Sequence, residues 1–241
     1  MDEEIEKKHG VFHIVGKVIK YVFFAAVLAM VVWLLLRSCW QSGTSLMKDY
    51  LWTDEAAQRF GRQKMTVNEY LDYNDNSTDR VFYIGNVRYT KELGQFQFML
   101  RYNEKFILRS DKLSEKADKY SETDGQNERF CFVLCDNKGN KYTEYEYVTD
   151  SKSMYNFYKV AFSGVDVEDI TSLTVRIYCV TGDEISYSDV FDTCTVWYSD
   201  GPVIKSGLSD DEKKAVKPTE KLKHYSVKLK PDSNDNTEDQ K

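Results

Sequence analysis

The residues of this 241-residue chain that could do chemistry are three histidines, five cysteines, seventeen tyrosines and a surplus of carboxylates. Hydrolytic triads need a base beside the nucleophile, most often histidine. His9 and His13 precede a long apolar run and His224 lies near the C-terminus, so the central region holds no histidine. His9 and His13 could share a helix face, but two ligands fall short of the four that a structural zinc site takes. Asp72, Asn74 and Asn76 have the spacing that opens a calcium loop, yet Ser77 stands where glycine is needed and Tyr83 where the bidentate glutamate belongs. Glu144 and Glu146 alternate with tyrosines, so both acids share one strand face instead of facing each other across a cleft as glycosidase carboxylates do. No phosphate loop, GxSxG, HExxH or dinucleotide fingerprint occurs. The expectation is a protein without cofactor, metal or catalytic activity, with a carboxylate-based hydrolase as the remaining catalytic option.

Cysteine and tyrosine offer structure or recognition instead. Cys131 and Cys135 would lie about 13 Å apart along one extended strand, beyond disulfide reach. Any bridge must therefore join that strand to Cys179 or Cys194. Both of these alternate with apolar residues, so the four thiols read either as a disulfide framework or as small buried side chains. The CxxxC spacing with no histidine nearby makes a poor zinc site. Tyr142, Tyr145, Tyr147, Tyr155 and Tyr158 crowd two neighbouring candidate strands. Of these, Tyr145, Tyr147 and Tyr158 are the candidate aromatic contact surface, with cross-strand packing inside the domain as the alternative.

Residues 21–36, YVFFAAVLAMVVWLLL, are uncharged and almost wholly apolar. With Val18 and Ile19, and with Lys20 and Arg37 extending toward headgroups, the segment matches the roughly 20 residues that cross a bilayer. Tyr21, Trp33 and Trp40 stand near its ends, where amphipathic rings prefer the interface. A cleaved signal peptide would have small residues behind a shorter apolar core, and bulky Trp40 argues against cleavage. Lipidation at Cys39 is disfavoured by Arg37, which occupies a position where a lipobox has a small or apolar residue. The first twenty residues carry Lys7, Lys8, Lys17 and Lys20, and the twenty after Leu36 carry Arg37 and Lys48. Four positive charges against two place the N-terminus in the cytoplasm and the bulk of the chain outside, in a single-pass arrangement.

The chain carries a formal charge of −6; the first twenty residues sum to zero and Arg37 adds +1, which leaves −7 beyond the anchor. An acidic surface repels nucleic acid, which is not expected as a partner. The pattern divides into a cytoplasmic flank (1–17), a transmembrane helix (18–38), a linker with a short helical segment (39–80), a β domain (81–204) and a charged, largely disordered tail (205–241). Within 39–80, QSGTS (41–45) reads as a linker, 46–61 has helical spacing, and 66–73 reads as a second short helix or irregular stretch. From Val81 the period becomes two in VFYIGNVRYT and QFQFMLRY; RFCFVLCD, apolar on both faces, suits a central strand, and KYTEYEYV, MYNFYKVAF and SLTVRIYCV supply further strands, with Asp136–Asn140 as a turn and 110–127 as a charged loop. HYSVKLK (224–230) could add an edge strand. Seven to nine short strands rich in Tyr, Phe, Val and Thr predict a mainly β, antiparallel immunoglobulin-like sandwich after one N-terminal transmembrane helix.

FCFVLCDNKGNKYTEYEYV followed by YNFYKVAFSGVDVEDITSLTVRIYCV resembles the exterior domain of single-pass bacterial envelope proteins with an immunoglobulin-like fold. The resemblance covers about a quarter of the chain, implies architecture and carries no residue roles. The expected function is a membrane-anchored extracytoplasmic binding or interaction module. Its partners would be the lipid bilayer and another envelope protein or a cell-surface polymer. The alternative is a structural subunit of a cell-envelope complex.

Overall fold

The structure is a computed structural model that describes residues 2–41, 44–60, 62–72, 81–108, 129–180, 185–207 and 216–230. Side chains of the first helix are described over 17–36. The chain divides into two compact units, Met1–Ser42 and Gly43–Lys241. The polar stretch 73–80, which holds Asn74, Asn76 and Ser77 of the rejected calcium-loop pattern, the charged loop 110–127 and the terminal stretch from Pro231 lie outside the described residues.

The first unit is helix α1 (Asp2–Gln41). Its segment Lys17–Leu36 is long and apolar enough to cross a membrane, and none of it is buried by protein. Twenty residues at 1.5 Å rise span about 30 Å, the thickness of a hydrocarbon core. Such a helix is that of a membrane anchor or a signal sequence.

The second unit is mainly β. Its strands are β1 (Val67–Tyr70), β2 (Phe82–Thr90), β3 (Gln95–Tyr102), β4 (Phe130–Asp136), β5 (Lys141–Tyr142), β6 (Glu144–Lys152), β7 (Tyr155–Phe162), β8 (Ser172–Cys179), β9 (Ile185–Ser186), β10 (Asp192–Tyr198), β11 (Val203–Ser206), β12 (Lys223–Ser226) and β13 (Leu229–Lys230). A seven-stranded sheet runs β11-β1-β2-β3-β7-β6-β12, and a four-stranded sheet runs β10-β8-β4-β5. Every pairing within these two sheets is antiparallel, while β13 and β9 form a small parallel pair. Inward-facing residues of both sheets meet in one core. Phe82, Phe98, Tyr102, Phe130, Phe132 and Phe162 are among its aromatic members. Phe132 touches Phe98, Tyr145 and Tyr158 edge-on, at centroid separations of 6.3, 5.7 and 5.1 Å. Aromatic pairs of this geometry add about 0.5–1.5 kcal/mol each beyond area burial.

The β region extends past 81–204 in both directions. Residues 67–70, expected as helix or irregular chain, form β1, because Asn68 and Glu69 pair with Tyr89 and Arg88 of β2 on one side and with Ser206 and Lys205 of β11 on the other. The expected helix over 46–61 is broken. Helix α2 (Ser45–Lys48) gives way to an extended stretch at 50–53, and helix α3 (Asp54–Arg59) follows, its first turn capped by the Thr53 hydroxyl. The break has a physical cause on β3. The side-chain amide of Gln97 accepts from Leu51 N–H at 3.0 Å and donates to Leu51 C=O at 2.8 Å, acting as a strand partner for one residue. Gln95 extends the contact by donating to Thr53 Oγ1 and accepting from the Tyr50 hydroxyl. Met47 and Leu51 then bury with Met99, Val148, Phe157 and Ala161 on the outer face of the large sheet. Residues 44–53 are thus a strap across that face. Thr219, in the segment expected to be tail, pairs with the backbone of Trp52 in both directions.

Candidate functional site

The three tyrosines expected as a contact surface are core residues. Tyr145, Tyr147 and Tyr158 are only 3%, 4% and 2% exposed. The alternation of β6 and β7 turns all three toward the opposing sheet. Their hydroxyls explain the choice of tyrosine over phenylalanine. Strand β5 covers only Leu134 and Cys135 of β4. Toward the start of β4, Tyr158 Oη accepts from Arg129 N–H and Phe130 N–H at 3.0 and 3.3 Å, and Tyr145 Oη accepts from Phe132 N–H at 3.3 Å. Burial holds the Tyr145 phenol well above its usual pKa, so it stays neutral.

Cys131, Cys135, Cys179 and Cys194 are free thiols. Register gives the reason. Cys131 lies opposite Tyr178 and Cys179 opposite Phe130, so the two side chains leave opposite faces of the sheet. Cys194 lies opposite Val175, which lies opposite Leu134, and so shares the face that Cys131 and Cys135 do not use. Burial pushes the Cys131 thiol up to about 12 and raises that of Cys135, which makes both poor nucleophiles. Glu144 is exposed and Glu146 half-buried, across from Ser226 and His224 of β12. Burial, with the Asp54 carboxylate nearby, raises the Glu146 pKa. No metal-binding cluster of His, Cys, Asp or Glu occurs among the described residues.

A cleft of about 520 Å³ opens at one end of the sandwich. It lies where β3 and β6 finish and β4 begins. Strand β3 contributes Tyr102, the short helix Glu104–Ile107 contributes Glu104, the position before β4 contributes Arg129, β6 contributes Thr149, Asp150 and Ser151, and β7 contributes Asn156 and Tyr158. Strand β12 completes it with Lys223, placed by its pairing with Tyr147. The acids already have partners. Glu104 Oε1 lies 3.5 Å from Arg129 Nη1 and accepts from Asn156 Nδ2 at 3.4 Å. Asp150 accepts from Thr44 Oγ1 at 2.5 Å and from Ser151 N–H at 2.8 Å. A lining of two cations, two carboxylates, an amide and hydroxyl groups suits a polar, polyhydroxylated group. These residues are scattered from 102 to 223 and come from four strands, a short helix and the residue before β4, so no local motif could have pointed to them.

A second chemically distinctive residue is Lys159, on the outer face of β7 under the strap. It is completely buried, and its Nζ donates to Asn86 C=O at 3.4 Å. Burial, reinforced by the Arg88 guanidinium, depresses its pKa to about 7. Asn86 holds a left-handed backbone (φ 52°) at the irregularity between Gly85 and Arg88, which aims its carbonyl at the amine. The signal for Lys159 in the sequence was a lysine at an alternating position of MYNFYKVAF, where solvent exposure was the simpler expectation.

No protein-family model, curated protein or solved structure matches this chain. The family identity suggested by the resemblance to bacterial envelope proteins therefore goes no further than a mainly β domain following one apolar N-terminal helix.

Proposed function

We propose that the protein is a single-pass membrane protein whose N-terminus lies in the cytoplasm and whose β domain is a non-catalytic extracytoplasmic binding module. The observation that carries the anchor is the unburied Lys17–Leu36 segment, whose residues 21–36 hold no charge, on a chain whose other unit has a core of its own. The lysine bias of its flanks supports the orientation. The binding role rests on the polar cleft, and the engagement of Glu104 and Asp150 with partners favours recognition over carboxylate hydrolysis.

We read the domain as immunoglobulin-like from its strand order. The stretch β2-β3-β7-β6 follows the order A-B-E-D, and β10-β8-β4-β5 follows G-F-C with one added strand. Strands β1, β11 and β12 widen the first sheet. A structural role in an envelope complex is the second reading, favoured by the strap that ties residues 44–53 into the domain.

Photocrosslinking from Ser151 in intact cells tests the binding role. A discrete adduct with an envelope protein or surface polymer, weakened by Arg129→Ala and persisting when 18–36 is replaced by an unrelated apolar helix, is expected. Loss of the adduct on helix replacement would favour the structural reading. Equal labelling from Ser151 and from Asn140 at the opposite end would contradict a role for the cleft.

A further inference from the structure

The two outer faces of the sandwich are covered differently. The strap 44–53 lies over the large sheet, while part of the small sheet's outer face meets solvent. On β8, Leu173, Val175 and Ile177 join the core, so Thr174 and Arg176 point outward. Register sets their neighbours in rows. Lys141 pairs with Cys135, Cys135 with Thr174 and Thr174 with Thr195, and this row crosses all four strands from β5 to β10. At about 4.8 Å between strands the row is roughly 14 Å long. Arg176 and Thr193 stand opposite each other in the next row on the same face. Lys141 and Thr193 are exposed, and Thr174, Thr195 and Arg176 are half-buried.

Tyr187, just past β9, gathers the two cations of this face. Its N–H donates to Lys230 C=O at 3.2 Å, and its own C=O accepts from the Tyr178 hydroxyl at 3.5 Å. Lys141 Nζ lies 3.6 Å and Arg176 Cζ 4.2 Å from the centroid of its half-buried ring. The two positive charges are therefore at most about 8 Å apart. Neither has a carboxylate within ion-pair distance among the described residues. Like charges held this close repel, and an anion beside both removes the repulsion. In a chain with 39 acidic residues against 33 basic ones, two neighbouring cations without an acid mark a place for a negative partner.

We propose that this face binds an anionic polysaccharide, with Arg176 and Lys141 holding its acid groups and the Tyr187 ring packed against a sugar. The charge of the partner follows from the two cations, the guanidinium offering a fork that matches an acid group. Its hydroxyls follow from Thr174, Thr193 and Thr195, each of which donates and accepts. Its extended form follows from the length of the row, which exceeds one sugar unit. An extended peptide would instead seek the unpaired N–H and C=O groups of a strand edge, which a sheet face does not present. The site is separate from the cleft, since Cys135 lies at the opposite end of β4 from Arg129.

The test titrates the full chain in detergent micelles with polygalacturonate and with dextran sulfate. Methyl-esterified polygalacturonate and dextran serve as their neutral counterparts, and polyglutamate as an acidic peptide. Binding of at least one anionic polysaccharide is expected, with weaker binding of its neutral counterpart and of polyglutamate. Arg176→Gln and Lys141→Gln are each expected to weaken it by about tenfold or more, the effect of one charged contact, and Lys141→Arg to retain it. Failure of both anionic polysaccharides to bind would overturn the proposal. So would equal binding by Lys141→Gln and the parent, or equal binding of the neutral counterpart. Polyglutamate bound as tightly as the polysaccharides would overturn it in favour of an acidic protein partner. Because Lys141 is exposed, its replacement leaves the core intact even if Arg176→Gln disturbs the packing of Tyr187, and unchanged circular dichroism verifies this.

Discussion

Tyr158 and Lys159 stand side by side on β7 and face opposite ways, one into the core and one under the strap. Each shows how a polar group is made tolerable in a buried place. Tyr158→Phe keeps the ring and removes the acceptor for two backbone N–H groups at the start of β4. A buried donor without a partner costs about 1–3 kcal/mol. Denaturant unfolding is expected to show a loss of that order, and an unchanged midpoint would mean that the N–H groups find other acceptors. Lys159 carries a pH signature. Its pKa is about 7 in the folded protein against 10.5 when solvated. Between those values the unfolded chain holds one more proton, so this residue makes stability rise with pH from about 7 to 10.5. The full difference corresponds to roughly 5 kcal/mol. Lys159→Met is expected to raise stability at pH 7 and to flatten the profile up to pH 10.5, as read by urea unfolding across that range. A variant with the same slope as the parent would show that the amine is not the source. Neither role was legible in the sequence, because a strand pattern reports which residues alternate but not which face is covered by a distant segment.

At the scale of elements, the strap across 44–53 and the polar ladder of β3 explain each other. Gln95 and Gln97 alternate with Phe96 and Phe98, which in the sequence marks a half-solvated strand. In the fold both faces of β3 are covered, and the glutamines serve the backbone of residues that cross over them. Gln97→Leu would leave the Leu51 N–H and C=O buried without partners. Loss of about 2–4 kcal/mol is expected, together with faster proteolysis within 44–53 relative to the sheets. Equal protection in mutant and parent would show that burial of Met47 and Leu51 holds the strap by itself. The strands from Val81 to Tyr198 were legible from their period of two and their turn residues, as was the edge strand near His224. The segments 46–53 and 67–70 were not. Apolar residues at helical spacing in 46–51 serve equally well to bury one side of an irregular strap, and β1 is short enough that pairing on both edges, not intrinsic pattern, decides its conformation.

At the scale of the whole molecule, the chain joins a helix that no protein surface buries to a domain that buries its own aromatic core. The apolar helix was the plainest signal in the sequence, since sixteen uncharged residues in a row require no tertiary context to interpret. The cleft was the least legible, because its residues meet only when β12, from near the C-terminus, joins the edge of a sheet begun near residue 67.

The central claim is a single-pass protein with its β domain outside the cytoplasmic membrane. It is tested most directly by labelling Asn140→Cys in intact cells with a membrane-impermeant maleimide, with Lys8→Cys as the partner position and Cys39→Ser in the background of both. The account predicts labelling at residue 140 in intact cells and at residue 8 only after the membrane is opened. Labelling at residue 8 in intact cells, with residue 140 reacting only after opening, would contradict it.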